Sequence, residues 1–256
     1  MNAAAELRTV WALMRRALNE ILRVPGAAIP GVLAPTIFFL GLTAVFGNLT
    51  LLPGFTTESY QSFLVPVSLM QSAGFTGAAT GVNLARDIEQ GWFDRLLASP
   101  ASRVSLLAGM VGSAAFRVLI PAGFLLCVAF ALGAHWPGIG GLAITLIVVM
   151  GMAVVASAWG VSLALRFKTQ SAAPLMQAGM LLLILTTTAY APLELLSGWL
   201  QEVARYNPVT QILEAARQGF VGGVTWGDTW PGLVALFGLA ILLTAMALRG
   251  MRRATY

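Results

Sequence analysis

Charge is what this chain has least of. Only 10% of its 256 residues are charged, where a soluble domain carries about 25% to face water. Hydrophobic residues reach 58% and the mean hydropathy is +0.82, so most of the surface needs lipid as its solvent and a soluble domain is excluded. Cysteine occurs once, as Cys127, which rules out an intrachain disulfide. Set among Leu126, Val128 and Ala129, it reads as a buried bystander thiol. Histidine also occurs once, at His135 beside Trp136, so neither a His-based metal site nor a Ser-His relay has a second member. Lys168 is the only lysine, and its neighbours LRFKTQ lack the glycine loop that cradles phosphates. No catalytic, cofactor-binding or metal-ligating residue is therefore expected on this chain.

Membrane strands would show as alternating ten-residue segments, and none is present. The formal charge of +5 and pI near 10.1 raise nucleic acid as a partner, but the basic residues are dispersed along the chain and fall at the ends of apolar stretches, which membrane topology explains better. Arg8, Arg15, Arg16 and Arg23 interrupt any apolar core at the N-terminus, so no secretory signal is expected there.

What the chain does have is long apolar stretches. About 20 residues cross roughly 30 Å of hydrocarbon as a helix, and six stretches qualify: residues 28–47, 60–82, 104–133, 140–165, 172–193 and 230–248. The expected fold is all-α: one polytopic membrane domain over residues 1–256, with six transmembrane helices. Arginine and lysine set its orientation. Arg8, Arg15, Arg16, Arg23, Arg86, Arg95, Arg103, Arg166, Lys168, Arg249, Arg252 and Arg253 fall on one side, against Arg205 and Arg217 on the other. By the positive-inside bias both termini are cytoplasmic. Trp136, Trp199, Tyr206, Trp226 and Trp230 then fall near the outer interface, where amphipathic rings favour the headgroup layer.

Three segments are not simple spans. In residues 1–26, Leu7, Val10, Trp11, Met14, Leu18, Ile21 and Leu22 recur at helical spacing, with Glu6, Arg8, Arg15, Asn19 and Glu20 elsewhere and Pro25-Gly26 as a stop. This is a basic amphipathic helix for the inner interface, either a coupling element or a plain anchor. The second segment is EQGWFDRLLASPAS. From Leu84, residues Ile88, Trp92 and Leu96 recur every fourth position among charges of both signs, with Gly91 a weak point and Ser99-Pro100 a stop. Asp87, Glu89 and Asp94 would be repelled by anionic headgroups, so the segment suits a groove on another protein or a solvated connection. The third, residues 194–223, holds short outer helices before the last span. Asn207 can cap one that has Pro208 at its first position, with Ile212, Leu213, Ala216 and Phe220 as its apolar face. Glu214 and Arg217 are spaced for an exposed ion pair. Such helices could dip in and return as an outer gate, or lie flat as a cap.

Arg117 stands inside the third apolar stretch, which at 30 residues exceeds the hydrocarbon thickness. The expectation is that it snorkels or makes an inter-helix contact, with a substrate site as the alternative. No Asp or Glu lies in any of the six stretches. That absence argues against self-powered ion coupling, so energy is expected to enter through another subunit.

At two places the residues match a known family. EQGWFDRLLASPASRVSLLAG, with Glu89, Gly91, Arg95, Leu96, Pro100, Arg103 and Gly109, resembles the segment before the third span of type-2 ABC exporter permeases, the group that includes daunorubicin-type drug exporters and polysaccharide exporters. NPVTQILEAARQGFVGG, with Asn207, Pro208, Thr210, Glu214, Arg217 and Gly222, is similar to their outer Asn-Pro-x-Thr motif. Met110 departs from the lysine that many members carry there. The resemblance covers essentially the whole chain. It implies a membrane permease of an ATP-driven exporter in a bacterial inner membrane, working as a homo- or heterodimer. It also implies docking on a separate ATPase subunit, which would carry ATP and magnesium, through Glu89, Gly91, Trp92, Arg95 and Leu96. The cargo would be an amphiphilic drug, lipid or glycan, released past an outer gate at Asn207, Pro208, Thr210, Glu214 and Arg217. The competing classes are a secondary transporter or channel not driven by ATP, and a membrane-embedded enzyme or scaffold.

Overall fold

The computed structural model describes residues 3–23, 29–51, 55, 57 and 59–253, and for residues 3–5, 18, 20–23 and 30 the backbone alone. Pro25, Gly26, Ala28 and the side chains of Leu18, Glu20, Ile21, Leu22 and Arg23 lie outside what it describes. The described residues are helical or in turns, with no strand among them. The helices are α1 (Ala3–Arg23), α2 (Ile29–Phe46), α3 (Tyr60–Glu89), α4 (Trp92–Leu97), α5 (Arg103–Arg117), α6 (Leu119–Ala131), α7 (Gly138–Phe167), α8 (Ala173–Leu185), α9 (Trp199–Tyr206), α10 (Pro208–Val221) and α11 (Trp226–Arg253). Among them, residues 31–51, 103–131, 138–167 and 226–253 form four helical stretches long and apolar enough to cross a membrane.

Helix α3 is the axis of the bundle. Twenty of its thirty residues are buried, among them the polar Ser62, Ser68, Gln71, Ser72 and Thr80, because protein rather than lipid surrounds it. Its principal neighbour is α7. A Cβ on Gly77 would sit 2.6 Å from the Ala156 Cβ, and one on Gly81 would land on the backbone of Gly160. Small residues let two membrane helices bring their backbones into contact, where dispersion replaces the missing hydrophobic drive. Helix α10 is clasped in the same manner: Gly219 meets Gly141 of α7, and Gly232 of α11 meets Gln211 and Ala215. Large apolar side chains point outward instead, as with Ile37 and Phe38 of α2 and Val234, Phe237 and Ile241 of α11.

Several sequence expectations change. The third stretch is helical over residues 103–131 but broken at Val118, since Pro121 has no N–H for the carbonyl of Arg117, four residues earlier. Cys127 is exposed, not buried: it shares the outward face of α6 with Phe124, while Leu125, Leu126 and Ala129 face the core. The fifth stretch, drawn as residues 172–193, ends its helix at Leu185. There the hydroxyls of Thr186 and Thr187 donate back to the carbonyls of Leu182 and Ile184, which competes with further helix. At 13 residues α8 is roughly 20 Å long, short of the hydrocarbon thickness.

On α1, Leu7 and Trp11 are exposed while Leu13 packs against Gly109 of α5. Of the expected apolar face, Val10 and Met14 are half-buried beside α5, while Leu13, outside that face, makes the closest contact.

The α3–α7 contact leads to a stability prediction. Gly81→Leu overpacks a backbone-to-backbone contact and is expected to cost at least about 1–3 kcal/mol, read as a lower melting temperature in detergent. Gly41→Ala, where a Cβ meets nothing within 4 Å, should leave it unchanged.

Candidate functional site: an inner docking edge and an outer joint

Two polar assemblies stand at opposite ends of α3. At one end the segment expected to form a single helix from Leu84 to Ala98 is split. Leu84, Ile88 and Glu89 belong to α3, and Gly91, at φ 70°, turns the chain into α4. That left-handed conformation favours glycine. Phe93 is the buried anchor of α4, Trp92 and Leu96 are half-buried, and Asp94 and Arg95 are exposed. The guanidinium of Arg16 on α1 lies 3.9 Å from the centroid of the Trp92 ring and 3.6 Å from the Asp87 carboxylate. A cation over an aromatic face adds to what is otherwise a weak surface ion pair.

Glu89 is committed within the chain. One carboxylate oxygen accepts from the Thr169 hydroxyl at 2.8 Å and the Gln170 N–H at 2.9 Å, and the other from the Gln170 side-chain amide at 2.6 Å. Arg86 Nε donates to the Gln170 side-chain oxygen at 3.3 Å. These bonds close the turn between α7 and α8, where Lys168 adopts a left-handed φ of 55°. The hydrogen bonds from Gln170, then that from Thr169, hold the Glu89 carboxyl below the ordinary glutamate range. Arg103 donates to the Met251 carbonyl at 2.7 Å, which fastens α5 to the end of α11. The ends of α3, α7 and α11, the starts of α5 and α8, and α1 and α4 thus form one edge. Further along, Arg117 is buried and donates to the Thr80 hydroxyl of α3, which is the inter-helix contact among its expected roles.

At the other end the Asn-Pro-x-Thr segment forms a joint. The Asn207 side-chain oxygen accepts from the Val209 N–H at 2.9 Å and caps α10, with Pro208 at its first position. Its amide donates to the carbonyls of Leu183 at 2.9 Å and Thr186 at 3.2 Å, the open end of α8. Thr210 donates to the Ala204 carbonyl of α9 at 2.7 Å. A single motif therefore satisfies three helix ends that have no water to turn to.

Arg217 is the largest correction. It is not half of an exposed ion pair: its side chain is 3% exposed against 42% for Glu214, 2.7 Å away. It donates to the carbonyls of Thr188 at 2.8 Å, Ala189 at 3.2 Å and Phe63 at 3.3 Å, and lies 3.8 Å from the Phe63 ring centroid. Glu214 also accepts from the Thr188 hydroxyl. A planar fork of donors is what such a set of carbonyls requires. The guanidinium thereby ties the irregular backbone after α8 to α10 and to the turn of α3 that precedes Pro66. Spacing of Glu214 and Arg217 identified the pair; the carbonyls came from segments that sequence reading had assigned to plain spans. Beside this cluster opens a cavity of about 530 Å³, bordered by Glu194, Glu214, Arg217 and Asp228.

The fold and its two polar ends define the class: a polytopic helical membrane protein with a helix of charged surface at one end and a partly irregular, cross-braced segment at the other. A sequence model of ABC-2 type transporters matches residues 8–221, and the chain belongs to that family. It is 27% identical over 260 residues to the ycf38 transport permease of Pyropia yezoensis, with 94% of this chain and 86% of that one covered. It is 23% identical over 251 residues to the daunorubicin resistance ABC transporter permease DrrB1 of Streptomyces coeruleorubidus, with coverage of 96% and 85%. A doxorubicin resistance ABC transporter permease of Mycobacterium tuberculosis, DrrC, is 25% identical over 249 residues. Membership makes this chain a membrane permease of the ABC transporter type.

Each polar end yields a measurable outcome. Arg217→Lys, which keeps the charge but loses the fork, should lower the melting temperature, and Arg217→Ala should lower it further, since the carbonyls of Phe63, Thr188 and Ala189 lose their donor and each buried unsatisfied group costs about 1–3 kcal/mol. Glu89→Gln should speed tryptic cleavage after Lys168 at neutral pH. Because the folded carboxyl titrates below its ordinary range, the contact's contribution is complete above that range. In the wild type the turn should loosen only as acid carries Glu89 through its lowered value, read at each pH by the hydrogen-exchange protection of the Gln170 amide.

Proposed function

We propose that this chain is the permease subunit of an ATP-driven exporter, paired with an identical or related permease and powered by a separate ATPase subunit docked on the α4 edge. The observation that carries the reading is α4 itself. It is a short helix exposing Asp94 and Arg95, set at a fixed angle by Gly91 and braced by Arg16, within a chain that belongs to a transporter family. A docking helix must be exposed to be gripped and fastened to the spans to move them, and α4 meets both conditions. Gly91 shapes the edge, Trp92 and Leu96 seat α4 against it, Arg95 is the contact offered outward, and Glu89 acts from within by holding the α7–α8 turn. ATP and magnesium belong to the partner, since Lys168 stands in no phosphate loop.

In this reading the chain crosses a bacterial inner membrane six times, through α2, α3, α5 with α6, α7, α8 with its irregular extension, and α11. The basic ends at Arg8, Arg15, Arg86, Arg103 and Arg252 support a cytoplasmic position for α4 and both termini. Helix α10, packed between α7 and α11, enters the bundle from outside and returns, and the cavity beside Arg217 lies on the release path. Daunorubicin and doxorubicin in the names of two relatives favour a drug over a glycan as cargo.

The test is capture of the tagged chain from its native membrane, with bound proteins identified and ATP hydrolysis assayed. A Walker-A subunit should co-purify, and Arg95→Glu with Asp94→Lys should reduce its recovery at least about tenfold while the permease stays inserted, given the cost of like charges at an interface. Recovery of intact permease with no ATPase, or capture indifferent to both substitutions, would refute the docking role.

A further inference from the structure

Between α1, α3, α4 and α5 lies a second cavity, and each guanidinium on its border also keeps a contact within the chain: Arg16 with Asp87 and Trp92, Arg86 with Gln170, and Arg117 with Thr80. Its volume is about 80 Å³, several times the roughly 10–15 Å³ that one water needs, and enough for a tetrahedral anion. Three guanidinium groups border it, those of Arg16, Arg86 and Arg117, against one carboxylate among the described lining residues, Asp87. Asp87 lies against Arg16. Asn83, Thr80 and Ser113 add uncharged polar groups, and Arg117 is 5% exposed, so one cation stands at the floor rather than the rim. Leu13, Leu96 and Met110 form the remaining wall. Cations on one side and an apolar wall on the other match an amphiphile with an anionic head.

We propose that this cavity binds the phosphate of an anionic phospholipid from the leaflet in which α1 lies. Guanidinium is suited to this role because its donors pair with phosphate oxygens two at a time, and basic pockets between helices at the cytoplasmic surface attract such headgroups. The apolar wall favours a lipid over free phosphate: Leu13, Leu96 and Met110 have no use for an ion that carries no chain. Trp92 also borders the cavity, so a lipid held there touches α1, α3, α4 and α5 together and fixes the angle at which α4 meets a partner. The leaflet assignment rests on the orientation proposed above. Binding itself is read on the permease alone, so its failure and a failure of ATPase docking are separate results.

The experiment uses the full chain purified in a neutral detergent, supplied with phosphatidylglycerol, phosphatidylcholine or inorganic phosphate, and followed by native mass spectrometry and thermal unfolding. Phosphatidylglycerol should be retained and should raise the melting temperature, with phosphatidylcholine and inorganic phosphate far less effective. Arg86→Gln, at the exposed rim, should weaken retention about fivefold, the worth of one guanidinium near a charged headgroup, with the melting temperature of the lipid-free variant reporting separately on its lost bond to Gln170. Met110→Trp, which fills the cavity and leaves every charge in place, should do the same, while Arg8→Gln on the outer side of α1 should change nothing. Equal retention of both lipids, equal protection by inorganic phosphate, or wild-type retention in both cavity variants would overturn the proposal.

Discussion

The structure depends on the backbone contact between α3 and α7. In lipid, two apolar helices gain nothing from hiding from each other, so association rests on how closely their backbones approach and on polar groups shared between them. Gly77, Gly81 and Gly160, with Ala153, Ala156 and Ser157, supply that approach. Because α3 is enclosed on most sides, it can carry Ser62, Ser68, Gln71 and Thr80 through the interior. Three of these meet other segments there: the Ser62 hydroxyl accepts from the His135 N–H at 2.8 Å, Gln71 donates to the Tyr190 hydroxyl at 2.8 Å, and Thr80 receives Arg117.

With α3 and α7 locked, irregular backbone becomes tolerable elsewhere. The chain after Leu185 runs through turns at a depth where unsatisfied carbonyls are costly, and it persists because Asn207 and Arg217 reach those carbonyls from α10. Helix α10 is itself held by Gly219 against Gly141 and by Gly232 of α11. The outer end is therefore assembled from small-residue contacts that bring donors within reach of orphan acceptors.

The inner edge works by different physics. Its groups are largely exposed, and each contact is modest: Arg16 with Asp87 and Trp92, Glu89 with Thr169 and Gln170, Arg103 with Met251. Their effect is collective, since they link α1, α3, α4, the α7–α8 turn and α11 into one surface.

The membrane class, the helical fold, the two motif-bearing segments and the cap at Asn207 were legible from the chain alone, because hydropathy, periodicity and capping are properties of neighbouring residues. So was the resemblance that the family match bears out. The stop at Leu185, the outward Cys127, the internal role of Glu89 and the burial of Arg217 were decided by tertiary structure. Each depends on groups far away in sequence: Arg217 reaches the Phe63 carbonyl 154 residues distant, and Glu89 reaches Gln170 across 81. An arginine three residues after a glutamate looks the same on a solvated helix and in a bundle. Only the packing of α10 against α3, which brings the carbonyls of Phe63, Thr188 and Ala189 within reach, made this one the centre of its cluster.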